Sequence, residues 1–286
     1  MVEQAGKKVV LVTGASAGIG QAIVLKMRSE GWIVYGAARR VNKMDELVAA
    51  GAKAVFIDVT DDASMAAAVE TILAAEGRLD ALVNNAGYGS YGALEDVPID
   101  EARRQFEVNV FGLMRLTQLV LPAMRAAGSG TIMNISSMGG RIWMPIGGWY
   151  HATKHALEVL SDALRVEVQP FGVKVVVIQP GAIQSEWSDI SADNLDTTTK
   201  NSVYRFLTEP MSRILRGYAS AKPPGVIADT VAVALAAKNP RRRYRAPFDA
   251  KLYVRLHWLF PDWLWERVLR SSMGWTTKSV TGSGQV

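Results

Sequence analysis

The 286-residue chain contains no cysteine. Disulfide bonds, thiolate nucleophiles and cysteine metal sites are thereby excluded, which fits a reducing compartment. Histidine is nearly as scarce, with three in the chain. No grouping of His, Asp and Glu has convincing metal spacing, so no metal is expected and a zinc-dependent dehydrogenase is disfavoured. Long apolar runs are missing too, since nothing approaches the ~18 continuous apolar residues of a spanning helix. Residues 1–8 hold no signal-peptide core and run straight into a strand-like segment. A soluble, cytoplasmic protein is the expectation.

What is present is an ordinary globular balance, 49% hydrophobic and 21% charged, with a net charge of +5. Part of that excess sits in Arg241, Arg242, Arg243 and Arg245, read as a solvated strand end rather than a nucleic-acid site. Short apolar, β-branched runs recur at 8–13, 32–37, 54–57, 81–83, 131–135 and 173–178. Helical patterns fill the gaps, including 19–30, 99–127 and 150–168. Continuous apolar strands separated by helices imply an α/β fold, a doubly wound parallel sheet of Rossmann type with helices on both faces. One catalytic domain over 1–247 is expected, with a substrate lid at about 186–225. Residues 188–200 are polar, and helices are expected over 204–218 and 226–238. An amphipathic helical extension over 248–275, broken at Pro261, and a flexible tail over 276–286 complete the chain.

Directly after the first strand runs Thr13-Gly14-Ala15-Ser16-Ala17-Gly18-Ile19-Gly20. Its glycines permit a tight turn and a close approach to a pyrophosphate, at which the following helix points its positive end. The spacing is G-x-x-x-G-x-G, and no P-loop Lys follows, so a nucleoside-triphosphatase is disfavoured. Phosphate preference is set at the end of the second strand, where an acid would hold a ribose 2′-hydroxyl. This chain has Arg39 and Arg40 instead, and a guanidinium grips a phosphate bidentately. NADP(H) is therefore the expected cofactor, with a solvated loop as the alternative for the two arginines. Asp58-Val59 follows the third strand, where a carboxylate can accept from the adenine amino group. Asn84-Asn85-Ala86-Gly87 closes the fourth with small residues that let the chain pass close to the cofactor.

Tyr150 and Lys154 stand four apart on one helix face. A free phenol has a pKa near ~10, and a fixed cation nearby favours its ionised form. Taken together, Thr13-Gly14-x3-Gly18-x-Gly20, Asp58, Asn84 to Gly87, Asn109, Ser137, Tyr150-x3-Lys154 and Pro180-Gly181 resemble a short-chain dehydrogenase/reductase, over roughly residues 7–185. The resemblance implies that Tyr150 is general acid in reduction and general base in oxidation, and that Ser137 hydrogen-bonds the substrate oxygen. It implies that Lys154 holds the nicotinamide ribose and lowers the Tyr150 pKa. Asn109 would kink its helix and position a water beside that lysine. Pro180, Gly181 and Ile183 would lie along the nicotinamide, and Ser185 replaces the family's usual Thr while keeping the hydroxyl. The family habit is a homo-oligomer, dimer or tetramer.

Bulky residues from Arg141 to Pro145 and Trp187 suit a hydrophobic ketone, sterol or long-chain alcohol, or else pack a lid or subunit contact. His151, His155 and His257 are read as packing or surface residues. Four tryptophans in the extension (Trp258, Trp263, Trp265, Trp275) are expected to pack within the molecule or against a subunit, with a membrane interface as the weaker reading. The competing functional readings are a non-catalytic NADP(H) sensor on the same fold and an epimerase or dehydratase. An intact Tyr/Lys/Ser set speaks against the sensor.

Overall fold

The computed structural model describes residues 6–275; the tail expected over 276–286 lies outside them. The apolar runs become seven strands: β1 (Val9–Thr13), β2 (Ile33–Ala38), β3 (Lys53–Phe56), β4 (Ala81–Asn84), β5 (Gly130–Ile135), β6 (Val173–Pro180) and β7 (Arg243–Ala246). Eleven α-helices join or follow them among the described residues: α1 (Gly18–Ser29), α2 (Asp45–Ala49), α3 (Asp62–Glu76), α4 (Ile99–Phe106), α5 (Leu113–Ala126), α6 (Gly148–Val168), α7 (Glu186–Thr198), α8 (Arg205–Gly217), α9 (Gly225–Ala236), α10 (Phe248–Leu259) and α11 (Asp262–Ser272).

All neighbouring strands pair in parallel, in the order β3-β2-β1-β4-β5-β6-β7. Strand order reverses between β1 and β4, which opens a crevice at their carboxyl ends. Side chains alternate across the sheet, so each strand supplies two cores. Val10 and Val12 of β1 pack with Ile23 and Met27 of α1 and Val231 of α9. Val9 and Leu11 pack with Ile72 of α3, Leu116 of α5 and Leu164 of α6. Burial on both faces is why β1 reads as an unbroken apolar run. Each such side chain contributes roughly 1.5–3 kcal/mol.

Three elements differ from the sequence expectation. The helix expected over 99–127 is interrupted by a π-helical segment, Glu107–Gly112, at Asn109. Gly112 sits there because a Cβ would lie 2.0 Å from the Val59 carbonyl oxygen. The polar stretch after Ser185 forms α7, whose buried stripe Ser188, Ser191, Ala192 and Leu195 keeps helical spacing but is half hydroxyl. Ser188 and Ser191 satisfy their hydroxyls on the Ser185 and Gly89 carbonyls, and Arg216 of α8 clamps Asp193 and Asp196. Hydrophobic periodicity therefore could not reveal it. The arginine run belongs to β7, and the solvated reading holds only for Arg241 and Arg242. Arg243 pairs with the buried Glu158 at 2.7 Å and with Asp162 at 2.6 Å, and Arg245 donates to Gln179.

The extension folds as two helices broken at Pro261, as expected. Trp265 is 2% exposed, packs with Ile142, Val254 and Leu269, and donates its indole N–H to the Trp143 carbonyl. No helix among the described residues is long and apolar enough to cross a membrane.

Candidate active site

A groove at the β1–β4 crevice is shaped by side-chain contacts to the main chain. Thr13 Oγ1 accepts from the Asn85 and Ala86 amides, and Asn85 Nδ2 donates to the Thr13 carbonyl at 2.9 Å. Gly14 and Gly18 have positive φ, +66° and +58°. A Cβ on Gly20 would lie 2.3 Å from the Gly14 carbonyl oxygen, so only glycine permits the turn. Helix α1 starts at Gly18 without a side-chain cap, leaving its first amides for an anion. A second buried set fixes the crevice floor: Asn84 donates to Thr117 and Asn134, and Asn134 donates to Ser161. That chain ties β4 and β5 to α5 and α6.

The sequence-predicted set converges on one cavity of about 960 Å³. Gly14, Ser16, Gly18, Ile19, Arg39, Arg40, Asp58, Val59, Asn85, Ala86 and Gly87 line one end. Ser137, Tyr150, Lys154, Pro180, Gly181, Ile183 and Ser185 line the other. Gly20 and Asn109 stand behind the wall. The Asn109 side chain is committed to the Tyr88 main chain and to Thr153 Oγ1, and makes no hydrogen bond to Tyr150 or Lys154. Asp58 accepts from Thr60, and its carboxylate lies 4.0 Å from Arg39. Arg40 reaches Ser16 at 3.4 Å and Glu186 at 3.9 Å. Glu186, from α7, is a carboxylate in the expected phosphate region that chain order concealed.

At the reacting end, Ser137 Oγ accepts from the Gly139 amide, and Lys154 Nζ donates to the Ile135 carbonyl at 3.0 Å. The Lys154 ammonium lies 6.0 Å from the Tyr150 ring centre. Burial pushes the Tyr150 phenol up to about 12, while the Ser137 hydroxyl pulls it down. Burial also lowers Lys154 to about 8, against the pull of Glu158 one turn away. In the chain alone, desolvation outweighs the cation that the sequence suggested, so Tyr150 rests protonated at neutral pH.

Aromatic packing holds that phenol in place. The Tyr150 ring lies 5.7 Å from Tyr91 and 5.4 Å from Trp187. Gly89 makes room, since a Cβ there would meet Trp187 at 2.4 Å. The chamber beyond is largely apolar, with Met138, Ile142, Met144, Ile190, Met211 and Leu215 on its walls.

His151, expected to pack, is 6% exposed and lines the cavity. Its Nδ1 lies 2.9 Å from the Gly139 carbonyl, so Nδ1 carries the proton, while Nε2 has no protein partner among the described residues. Two residues at the site were missed, one on the cavity wall and one behind it. Tyr218, pushed up to about 12 by burial, directly follows α8 and faces the chamber. Asp249 accepts from the Ala182 amide at 2.8 Å and fills the space beside Gly181. An acid in the first turn of a helix whose other charged residues are basic was the one available signal. Among the described residues no acid–histidine group could hold a metal.

Comparison with known proteins places this arrangement. The family model for short chain dehydrogenases matches residues 8–195. The chain is 35% identical to a short-chain type dehydrogenase/reductase of Helicobacter pylori, covering 91% of this chain and 96% of that one. It is 35% identical to a 3-ketodihydrosphingosine reductase of Bacteroides thetaiotaomicron, over 92% and 97% of the two chains. It is 33% identical to an NADPH-dependent 3-dehydrocapnine reductase of Ornithobacterium rhinotracheale, over 90% and 94%. Among solved structures, a short-chain dehydrogenase from Streptomyces avermitilis superposes with a TM-score of 0.80 at 35% identity, over 98% and 100%. A metagenomic short-chain oxidoreductase solved with NADP gives 0.66 at 32%, over 84% and 98%. A Burkholderia phymatum short chain dehydrogenase/reductase solved with NAD gives 0.76 at 26%, over 87% and 92%. This chain belongs to the short-chain dehydrogenase/reductase family of oxidoreductases.

Proposed function

We propose that the protein is an NADP(H)-dependent oxidoreductase that interconverts a ketone and an alcohol on a bulky, apolar substrate. The observation that carries this reading is the convergence of Ser137, Tyr150 and Lys154 on one cavity whose far end is a glycine-lined groove. When bound, the nicotinamide supplies or takes the hydride. Gly14, Gly18 and the open end of α1 would hold the pyrophosphate, and Asp58 the adenine. Pro180, Gly181, Ile183 and Ser185 would flank the nicotinamide ring.

The reacting carbonyl oxygen would sit between Ser137 Oγ and Tyr150 Oη. Both donate where negative charge grows, so they act mainly in the transition state. Tyr150 Oη gives its proton to the nascent alkoxide, and its protonated resting form suits it to the reductive direction. Lys154 would hold the ribose hydroxyls. Its pKa of about 8 also makes Nζ a practical source for reprotonating Tyr150 near neutral pH.

Arg39 and Arg40, exposed at the groove's adenine end, support preference for the 2′-phosphate. The NADPH-dependent relative lends weight to it. The apolar chamber, with the two relatives named for 3-keto and 3-dehydro substrates, supports a long-chain ketone. The exposed valines Val159 and Val166 on α6 support the expected homo-oligomer through that helix. The test is oxidation of NADPH and NADH against a panel of short, aromatic, steroidal and long-chain ketones. NADPH-dependent turnover that rises with apolar size is expected; a strong NADH preference, or turnover confined to small polar carbonyls, contradicts the reading.

A further inference from the structure

The helix pair α10–α11 carries two apolar faces. The inner one is filled: Ala250 of α10 is buried, and Val254 of α10 with Trp265 and Leu269 of α11 packs against Ile142, Met138 and Met144. Those last three also wall the substrate chamber. The outer face has no protein partner among the described residues. At about 100° per residue, Phe248, Lys251, Leu252, Arg255, Trp258 and Leu259 fall within one arc of about 120° that excludes Ala250 and Val254. All six are exposed, Phe248 at 72% and Trp258 at 81%. Trp263, in the first turn of α11, is 66% exposed. Monomeric proteins seldom leave so much contiguous apolar surface in water.

We propose that this outer face docks on a lipid surface bearing anionic headgroups, holding the wall of the substrate chamber against the membrane. The charge pattern selects that occupant. Lys251 and Arg255 lie within the apolar arc, and Arg267 stands one turn beyond Trp263. Long cationic side chains can reach headgroups while their stems stay in the apolar layer. Indole rings such as Trp258 and Trp263 favour the boundary between headgroup and acyl chain. The acids of the pair offer little competition. Asp249 is turned inward to Ala182, Glu266 is paired with Arg270 at 3.6 Å, and Asp262, at the start of α11, acts on His257 of α10. A second copy packed across a two-fold axis would bring Lys251 and Arg255 towards their own equivalents without an acid inside the arc. The inference adds a route of access to the apolar-substrate reading, but the docking itself does not depend on Tyr150 chemistry.

The test is co-sedimentation of the full chain with vesicles of phosphatidylcholine alone and of phosphatidylcholine mixed with phosphatidylglycerol. Binding to the mixed vesicles is expected, with a blue shift of tryptophan emission and weakening as salt rises. The pair Lys251→Glu and Arg255→Glu lowers binding by roughly tenfold or more, and Trp258→Ser with Trp263→Ser removes it. Both double variants keep wild-type turnover of a small water-soluble ketone, an assay that separately reports on the oxidoreductase reading. Wild-type protein that stays in the supernatant, or tryptophan variants that bind equally well, overturns the proposal. So does a change of oligomeric state in the tryptophan variants, which would make the face a contact between copies.

Discussion

In the groove at the ends of β1 and β4, the decisive contacts are made to the main chain. Over the catalytic face they are between side chains. Gly14 and Gly20 sit at distances from their neighbours that no Cβ would tolerate, and Gly14 and Gly18 hold positive φ, so residue identity there is almost forced. Trp187, Tyr91, Ile190 and Met144 merely have to fill a space, and many apolar combinations fill it. The first region can serve one kind of ligand across a whole family. The second can be rebuilt for each substrate.

This contrast can be broken or sharpened by mutation, with the largest effect expected at the backbone. Gly20→Ala forces a Cβ against the Gly14 carbonyl and should abolish NADPH binding in a titration, while thermal unfolding stays cooperative. Retained affinity would mean that the turn yields more easily than its contacts imply. Next comes charge at the same end. Arg39→Ala with Arg40→Ala should weaken NADPH by roughly 10–100-fold, as loss of charge-assisted hydrogen bonds does. NADH should change little, and equal losses for both cofactors would count against phosphate recognition.

The catalytic face gives a pH-dependent prediction. Burial lowers His151 to about 4 from an ordinary 6.5, so between those values the unfolded chain binds the extra proton and the folded chain does not. Stability from this residue is therefore full above pH 6.5 and is lost as pH falls towards 4, by about 3 kcal/mol over the window. Urea unfolding of His151→Gln should show that acid-side slope flattened; an unchanged slope would assign it to other groups. Smallest of all is the exposed pair between α7 and the groove. Glu186→Gln frees Arg40 from a partner 3.9 Å away and should tighten NADPH by no more than a few-fold, in line with ~0–1 kcal/mol for a surface pair. Weaker NADPH binding in this variant would show that Glu186 assists the cofactor rather than competing with it.

The same contrast governs what could be read from the chain alone. Gly14, Gly18, Asn85 and the Tyr150–Lys154 pair lie in short local motifs, so their meeting in one cavity was legible. So were the first six strands, most of which are buried on both sides and so write an apolar run. Helix α7 was not, because Ser188 and Ser191 occupy its buried stripe and disguise the period. Strand β7 was read only as a solvated strand end because of its arginines, and only the fold reveals that Arg243 and Arg245 turn inward to Glu158 and Gln179. Tyr218, Glu186 and Asp249 reach the site from distant segments, which no spacing rule connects. Pro261 did announce the break between α10 and α11, yet of the four tryptophans Trp265 is buried while Trp258 and Trp263 face outward.

The central claim is that Tyr150 delivers the proton that accompanies hydride transfer. Steady-state turnover of Tyr150→Phe, with NADPH affinity measured on the same sample, tests it most directly. The expected result is a fall in kcat of about 10²–10⁴ with cofactor affinity within a few-fold of wild type. Undiminished turnover by a variant that still binds NADPH would contradict the account.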